Sequence, residues 1–467
     1  MIKRLLYIAL WCNFSLLAWS QEGERYLNFN QYIEIVKENH PIALRAKLNP
    51  EFGEAAVRAA RGGFDPQVFT NIGQKYFQND QYYSLVDAGL KVPTWFGLDV
   101  YGGFEQNNGV NLNPERKTPS NGLVYAGVSL PVGQGLFIDQ RRADLRQAQL
   151  FEKISEEEQR LMINELLLKA SNAYWDWFAA YENVRIFEEA VRVAEERFEG
   201  VRMSALMGDV SIIDTVEAII QVETREVRRQ QAVLRFKNAT QQLSVFLWQD
   251  GTVPLEIDDN VLPSDNQVLT DYILDAEIEG EIDSLINIHP AIIQNRYYLD
   301  QLEIERRWKA EQLKPVLNLK YNALNEPLND NVIAGYSLNN YNWGLQFYMP
   351  IFLRRERGEL AITKLKIRDA NLDLENQFAE FMANTNMAIN NWKTSTQQLE
   401  LYRSTVNNME TLLNGERTRF EVGESSLFLV NAREESFING QVELIRLITK
   451  NQKSLIDISY QLGVLGD

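Results

Sequence analysis

The sequence predicts an α+β membrane protein built by duplicating one large unit of helix, strand hairpin and long helical hairpin. Three observations predict it. A set of residues recurs at long range, two stretches of about 65 residues hold no proline and one glycine each, and ahead of each long stretch the hydrophobic period drops to two.

The recurrence comes first. His40-Pro41 is followed by Pro66 and His289-Pro290 by Pro315, a gap of 25 residues in both cases. Farther on, Ala143-Asp144-Leu145, Trp177, Gly200, Arg202 and Gly208 return 215 positions later as Gly358-Glu359-Leu360, Trp392, Gly415, Arg417 and Gly423. The offset falls from 249 to 215, so about 34 more residues lie between the matching segments in the first copy. Such a period far exceeds the roughly 20–50 residues of a solenoid repeat. The copies are placed at 21–250 and 270–467, with a linker over 251–269.

Residues 1–20 read as a secretory signal: Lys3 and Arg4 precede an apolar run from Leu5 to Trp19, with Ala18 and Ser20 before Gln21. The run is shorter than the roughly 20 residues of a spanning helix. The one cysteine, Cys12, lies inside the signal behind Trp11, where a lipoprotein site takes a small residue, so neither a disulfide nor a lipid anchor is expected. No later stretch reaches about 18 apolar residues, so a membrane is entered as strands or not at all. The net charge is −17, and −19 without Lys3 and Arg4. That surface repels phosphate backbones, and no nucleic-acid partner is expected.

From Ala143 to Met207 the only glycine is Gly200, and from Glu359 to Val422 it is Gly415. Each stretch is expected as one helix, roughly 100 Å long at 1.5 Å per residue. Ile163, Leu167, Ala170, Tyr174 and Trp177 step by four and three, answered by Phe378, Met382, Thr385, Ile389 and Trp392. That spacing is a coiled-coil seam, and it places Trp177 in the core. Met207-Gly208 and Val422-Gly423 break the pattern, and the serines that follow offer caps for helices returning over about 210–248 and 425–463. Each copy therefore closes in a helical hairpin, about 143–248 and 358–463. Shorter helices are expected over about 28–62 and 270–313, so that two shorter helices end to end match one long one.

Between first and long helix lie the strand regions, about 67–131 and 315–350. Tyr341, Trp343, Leu345 and Phe347 alternate with Asn342, Gly344 and Gln346, as Val124, Ala126, Val128 and Leu130 do with Tyr125, Gly127 and Ser129. These are strands with one apolar face. The segments 67–78 and 82–91 are read either as further barrel strands or as a hairpin beside it, and 106–121 as an outer loop. So few strands make no free-standing sheet. Several chains must pool them, and a closed barrel leaves no edge in lipid.

No phosphate-binding loop, dinucleotide fingerprint, nucleophile elbow or cysteine pair is present, so no catalytic residue, cofactor or metal site is read. His40 and His289 are the only histidines. Packing and hydrogen bonding are read for them. Arg141-Arg142 and Arg354-Arg355, where strand passes to helix, are read as a lipid-headgroup contact or a solvated cluster.

This order of elements, written twice, resembles the TolC family of outer membrane efflux proteins over about 27–463. The marks are Asn39-His40-Pro41 and Ile288-His289-Pro290, Leu130-Pro131-Val132 and Met349-Pro350-Ile351, and the tips Gly208-Asp209-Val210-Ser211 and Gly423-Glu424-Ser425-Ser426. The resemblance implies a homotrimer with an outer-membrane β-barrel, commonly of twelve strands, continued by a periplasmic α-helical barrel in a Gram-negative envelope. It implies as partners a periplasmic adaptor, an inner-membrane pump of RND or ABC type and outer-membrane lipid, and a passive exit channel that catalyses nothing. In the family an acidic residue six positions after the first-copy glycine pairs with an aromatic three before the second-copy glycine. Here those are Asp214 and Phe420, but Phe420 has no hydroxyl, and Ser425 stands where the family's bridging arginine would be. Leu429 and Ala432 replace the acidic constriction, which implies an apolar narrowing. Glu217, at i+3 from Asp214, shares its helix face, a spacing that suits a cation or a helix N-terminus. The competing reading is a periplasmic coiled-coil adaptor or structural protein that forms no pore.

Overall fold

The computed structural model describes residues 25–258, 260–264, 282, 284–327 and 337–466. The expected signal, part of the linker and the opening of the second copy's first helix fall outside them. The described residues open with β1 (Arg25–Leu27), α1 (Phe29–Asn39) and α2 (Pro41–Arg61). Strands β2 (Gln67–Phe77), β3 (Asp80–Pro93), β4 (Asp99–Asn108) and β5 (Leu123–Pro131) follow, then α3 (Gln140–Met207) and α4 (Ile212–Ser244). Short strands β6 (Trp248–Gln249), β7 (Val253–Pro254) and β8 (Val261–Pro263) lead to the second copy. That copy holds α5 (Pro290–Glu311), β9 (Val316–Asn325), β10 (Tyr341–Tyr348), α6 (Arg354–Glu421) and α7 (Leu427–Gln461). Both long helices, α3 and α6, run 68 residues. No helix among the described residues is long and apolar enough to cross a membrane.

One expected element divides. The helix read over 28–62 breaks at His40, whose backbone is extended at φ −69° and ψ 135°. Pro41 then opens α2, where its missing N–H costs nothing. The Nδ1 of His40 accepts the Ile42 N–H at 3.1 Å, and that of His289 accepts the Ala291 N–H at 3.2 Å. The recurrent His-Pro pair is thus a cap that restarts a helix, in both copies.

The chain divides into two compact units. One comprises Met1–Arg45, Met162–Ile282 and Ala383–Asp467. Its core gathers Tyr32, Leu167, Ala170, Tyr174, Trp175, Trp177 and Leu243, all nearly free of solvent. Trp177 donates from Nε1 to the Thr240 Oγ1 at 3.0 Å, which fixes the register of α3 against α4.

The other unit comprises Ala46–Leu161 and Asp283–Met382 and carries the sheet. Its six strands run in the order β10-β9-β5-β4-β3-β2, and every neighbouring pair is antiparallel. Segments 67–77 and 80–93 are therefore strands of the same sheet. Gln78 and Asn79 turn the β2–β3 hairpin with φ of 54° and 67°, the pair of positive angles that a two-residue hairpin turn requires.

Residues paired across strands share a face. Val68, Leu90, Gly102, Ala126, Ala323 and Tyr341 make one such row, and Ile72, Val86, Val92, Val100, Val128, Tyr321 and Trp343 belong to the same face. Between the bulge at Lys75/Tyr76 and the helical end, the charged strand residues Lys75, Asp87, Lys91, Asp99, Glu105 and Lys320 all stand on the opposite face. There Tyr125 donates to Asp87 at 2.8 Å, and Lys320 lies over the Tyr101 ring. The inner β3–β4 turn is tied to the start of α3 by Arg141, which pairs with Asp99 at 3.0 Å and Asp139 at 3.0 Å. Arg141 and Arg142 are thus engaged in ion pairs at this junction.

Candidate functional site at the helical tips

Both long helices end alike. Gly208 has φ +87° and Gly423 φ +78°, the left-handed conformation that glycine takes without a Cβ clash. Gly208 donates to the Ala205 carbonyl and Asp209 to that of Ser204; Gly423 donates to Phe420 and Glu424 to Arg419. This double closure satisfies the last helical carbonyls. Ser211 and Ser426 then cap α4 and α7. At Ser211 the cap is reciprocal, because Asp214 Oδ2 accepts the Ser211 N–H at 3.1 Å.

The residues singled out by sequence sit around these turns without forming one cluster. Asp214 serves the cap of its own helix. Phe420 packs with Phe198 and Val210 against buried Val201, Ala218 and Leu427. The Ser425 hydroxyl donates to Glu416, while Leu429 and Ala432 lie exposed on α7. Glu217 accepts from the Asn431 amide at 3.1 Å, which turns it toward α7.

Behind the turns lies a cluster that sequence reading missed. Glu434 of α7 receives both guanidinium nitrogens of Arg197 from α3, at 2.6 and 2.8 Å. It also receives Arg225 from α4 and, at 2.6 Å, Arg417 from α6. One carboxylate thus joins four helices. Arg225 reaches the Ala190 carbonyl at 3.1 Å and Asn431 accepts from Arg197 at 3.0 Å, extending the network. Burial opposes the Glu434 charge, but hydrogen bonds from Arg197 and the charge of Arg225 outweigh it and hold the carboxyl down at about 2. A signal for Arg225 did exist. The buried positions of α4 include Ala218, Arg225, Ala232 and Ala239, seven apart, so an arginine occupies a seam position otherwise held by alanine.

Residues 282–463, most of the second copy, match the family described as "Outer membrane efflux protein". In sequence, the second copy is therefore similar to the outer membrane efflux proteins. Solved structures of outer membrane channels share its fold from end to end. The Campylobacter jejuni CmeC outer membrane channel superposes with a TM-score of 0.63 at 15% identity, over 96% of this chain and 90% of that one. For the outer membrane protein VceC of Vibrio cholerae the score is 0.65 at 14% identity, over 93% and 95%. The open state of the Neisseria gonorrhoeae MtrE outer membrane channel gives 0.65 at 14%, over 93% and 89%. No curated protein matches. The arginine cluster sits just behind the turns, where it braces both helical hairpins.

Proposed function

We propose that the chain is the passive exit channel of a tripartite efflux or type I secretion system. Three copies form the duct, and the tips meet a periplasmic adaptor and an inner-membrane pump that supplies the energy. The observation that carries this reading is the six-stranded sheet, apolar and uncharged on one face and charged on the other, with both edge strands free to pair among the described residues. An adaptor is not favoured: it has no use for a single-layer sheet whose apolar face spans six strands.

At the tips, the family's acid–aromatic bond is replaced by separate roles for Asp214 and Phe420. The gate then rests on apolar side chains, with Leu429 and Ala432 lining the narrowest turn and closing by dewetting. Glu217, with Asp209, Glu421 and Glu424 beside it, keeps the entrance acidic. The test is single-channel recording of the detergent-purified trimer in a planar bilayer. Discrete steps, with conductance and cation preference altered by Leu429→Asp, are expected. A silent protein of monomer mass would overturn the channel, and an unchanged Leu429→Asp the gate.

A further inference from the structure

The sheet is one hairpin wider than the twelve-stranded barrel supplies from each of three copies. Building on the exit-channel reading, we propose that three copies close into a single eighteen-stranded barrel in which β10 of each copy pairs with β2 of the next. The partner is thus a second copy of this chain, and the interface is a pair of strand edges.

Four features support this. The extra strands pair in continuous register: β2 follows β3 from Gln67↔Lys91 to Lys75↔Tyr83, and β3 follows β4 from Pro93↔Asp99 to Ser84↔Asn108. A hairpin packed beside a barrel has no reason to share the barrel's faces, yet Val68, Thr70 and Ile72 extend the uncharged face while Lys75 extends the charged one. The inner turn of the added strands is fastened by Lys91–Asp99 at 3.2 Å and Arg141–Asp99 at 3.0 Å, so the hairpin is anchored where the other strands meet helix. Finally the directions fit. β2 leads away from α2 and β10 leads back to α6, so with every pair antiparallel the edge β10 meets the next β2 antiparallel as well.

Both edges carry exposed side chains along almost their whole length, and Tyr341, Trp343, Leu345 and Phe347 of β10 face the uncharged side. In lipid such an edge has unpaired N–H and C=O groups with no water to satisfy them, which closure abolishes. Because barrel diameter grows roughly linearly with strand number, eighteen strands make a duct about one and a half times as wide as twelve.

The mature chain has no cysteine once residues 1–20 are removed, so cysteine pairs report on strand neighbours directly. Leu345→Cys in β10 is combined in turn with Val68→Cys, Thr70→Cys and Ile72→Cys in β2, and with Gly102→Cys and Phe104→Cys in β4. The purified protein is then oxidised. The expected result is a covalent ladder to trimer through one of the β2 positions and none through β4. A disulfide between β10 and β4 returns the barrel to twelve strands and overturns the proposal, as does a trimer in which no β2 position links. The mass of the uncrosslinked protein in detergent separates the two readings: a monomer there refutes the exit channel itself.

Discussion

Arg225 on α4 and Glu434 on α7 form an ion pair whose side chains are 2% and 3% exposed. Burying two charges costs several kcal/mol each unless the geometry is good and the remaining donors are satisfied. Here the carboxylate is satisfied three times over, and Arg197 and Arg417 bring the number of guanidinium groups around it to three.

That imbalance ranks the substitutions. Glu434→Gln strands several arginines and is expected to lower the unfolding free energy by about 3–5 kcal/mol. Arg417, whose side chain is 36% exposed, contributes under about 1 kcal/mol, so Arg417→Ala is expected to be mild. Guanidinium unfolding in detergent measures both. Equal losses would mean that Glu434 is not the centre of the cluster.

Acid tests the same carboxyl. Glu434 titrates at about 2 when folded against an ordinary 4.5. Its contribution is therefore complete above pH 4.5 and is lost as pH falls from there toward 2, in total about 3 kcal/mol. The Glu434→Gln protein is expected to show a shallower fall in unfolding free energy across that window than the parent.

His289 titrates in a different window. Burial, aided by the charge of Arg160, lowers it from 6.5 to about 4. Between those values the unfolded chain takes up a proton that the folded chain refuses, so stability falls as pH drops from 6.5 to 4, by about 3 kcal/mol. His289→Asn keeps a cap for α5 and removes the titration. Its unfolding midpoint is expected to fall less steeply than the parent's between pH 6.5 and 4.5, above the Glu434 window, and a slope like the parent's would locate the proton elsewhere.

Asp214 separates capping from gating. Asp214→Ala is expected to cost about 1 kcal/mol through the lost capping box, whereas Asp214→Asn keeps a side-chain acceptor at the same place. On the proposed apolar gate, Asp214→Asn is expected to conduct like the parent in bilayers. A raised open probability in that variant would give the Asp214 charge a direct part in closure.

What could be read from the sequence was whatever repeats locally. The proline-free runs and the four-three steps through Leu167, Ala170, Tyr174 and Trp177 mark a buried seam, and period two through Tyr341 to Phe347 marks strands, because both record which side of one element is buried. The β2 strand stayed undecided because Gln67, Thr70, Asn71 and Gln74 dilute its alternation; only pairing with β3 assigns its faces. His40-Pro41 was visible as a repeat but not as a break, since the apolar stripe continues across it while the backbone does not. The Glu434 cluster was out of reach for another reason. Its residues come from four helices up to 237 positions apart, and charged residues in acidic helices are too common to stand out singly.

The added β2–β3 hairpin, 27 residues from Gln67 to Pro93, also accounts for most of the 34 extra residues between the matching segments of the first copy. A hairpin contributes an even number of strands, so its insertion leaves the direction and facing of every neighbour intact and returns the chain to the same side of the sheet. In the barrel proposed above, pore calibre then changes in whole-hairpin increments while the helical hairpins, and the adaptor proposed to dock on their tips, keep their sequence register. Width at the membrane and fit to the partner become separately evolvable traits of one polypeptide.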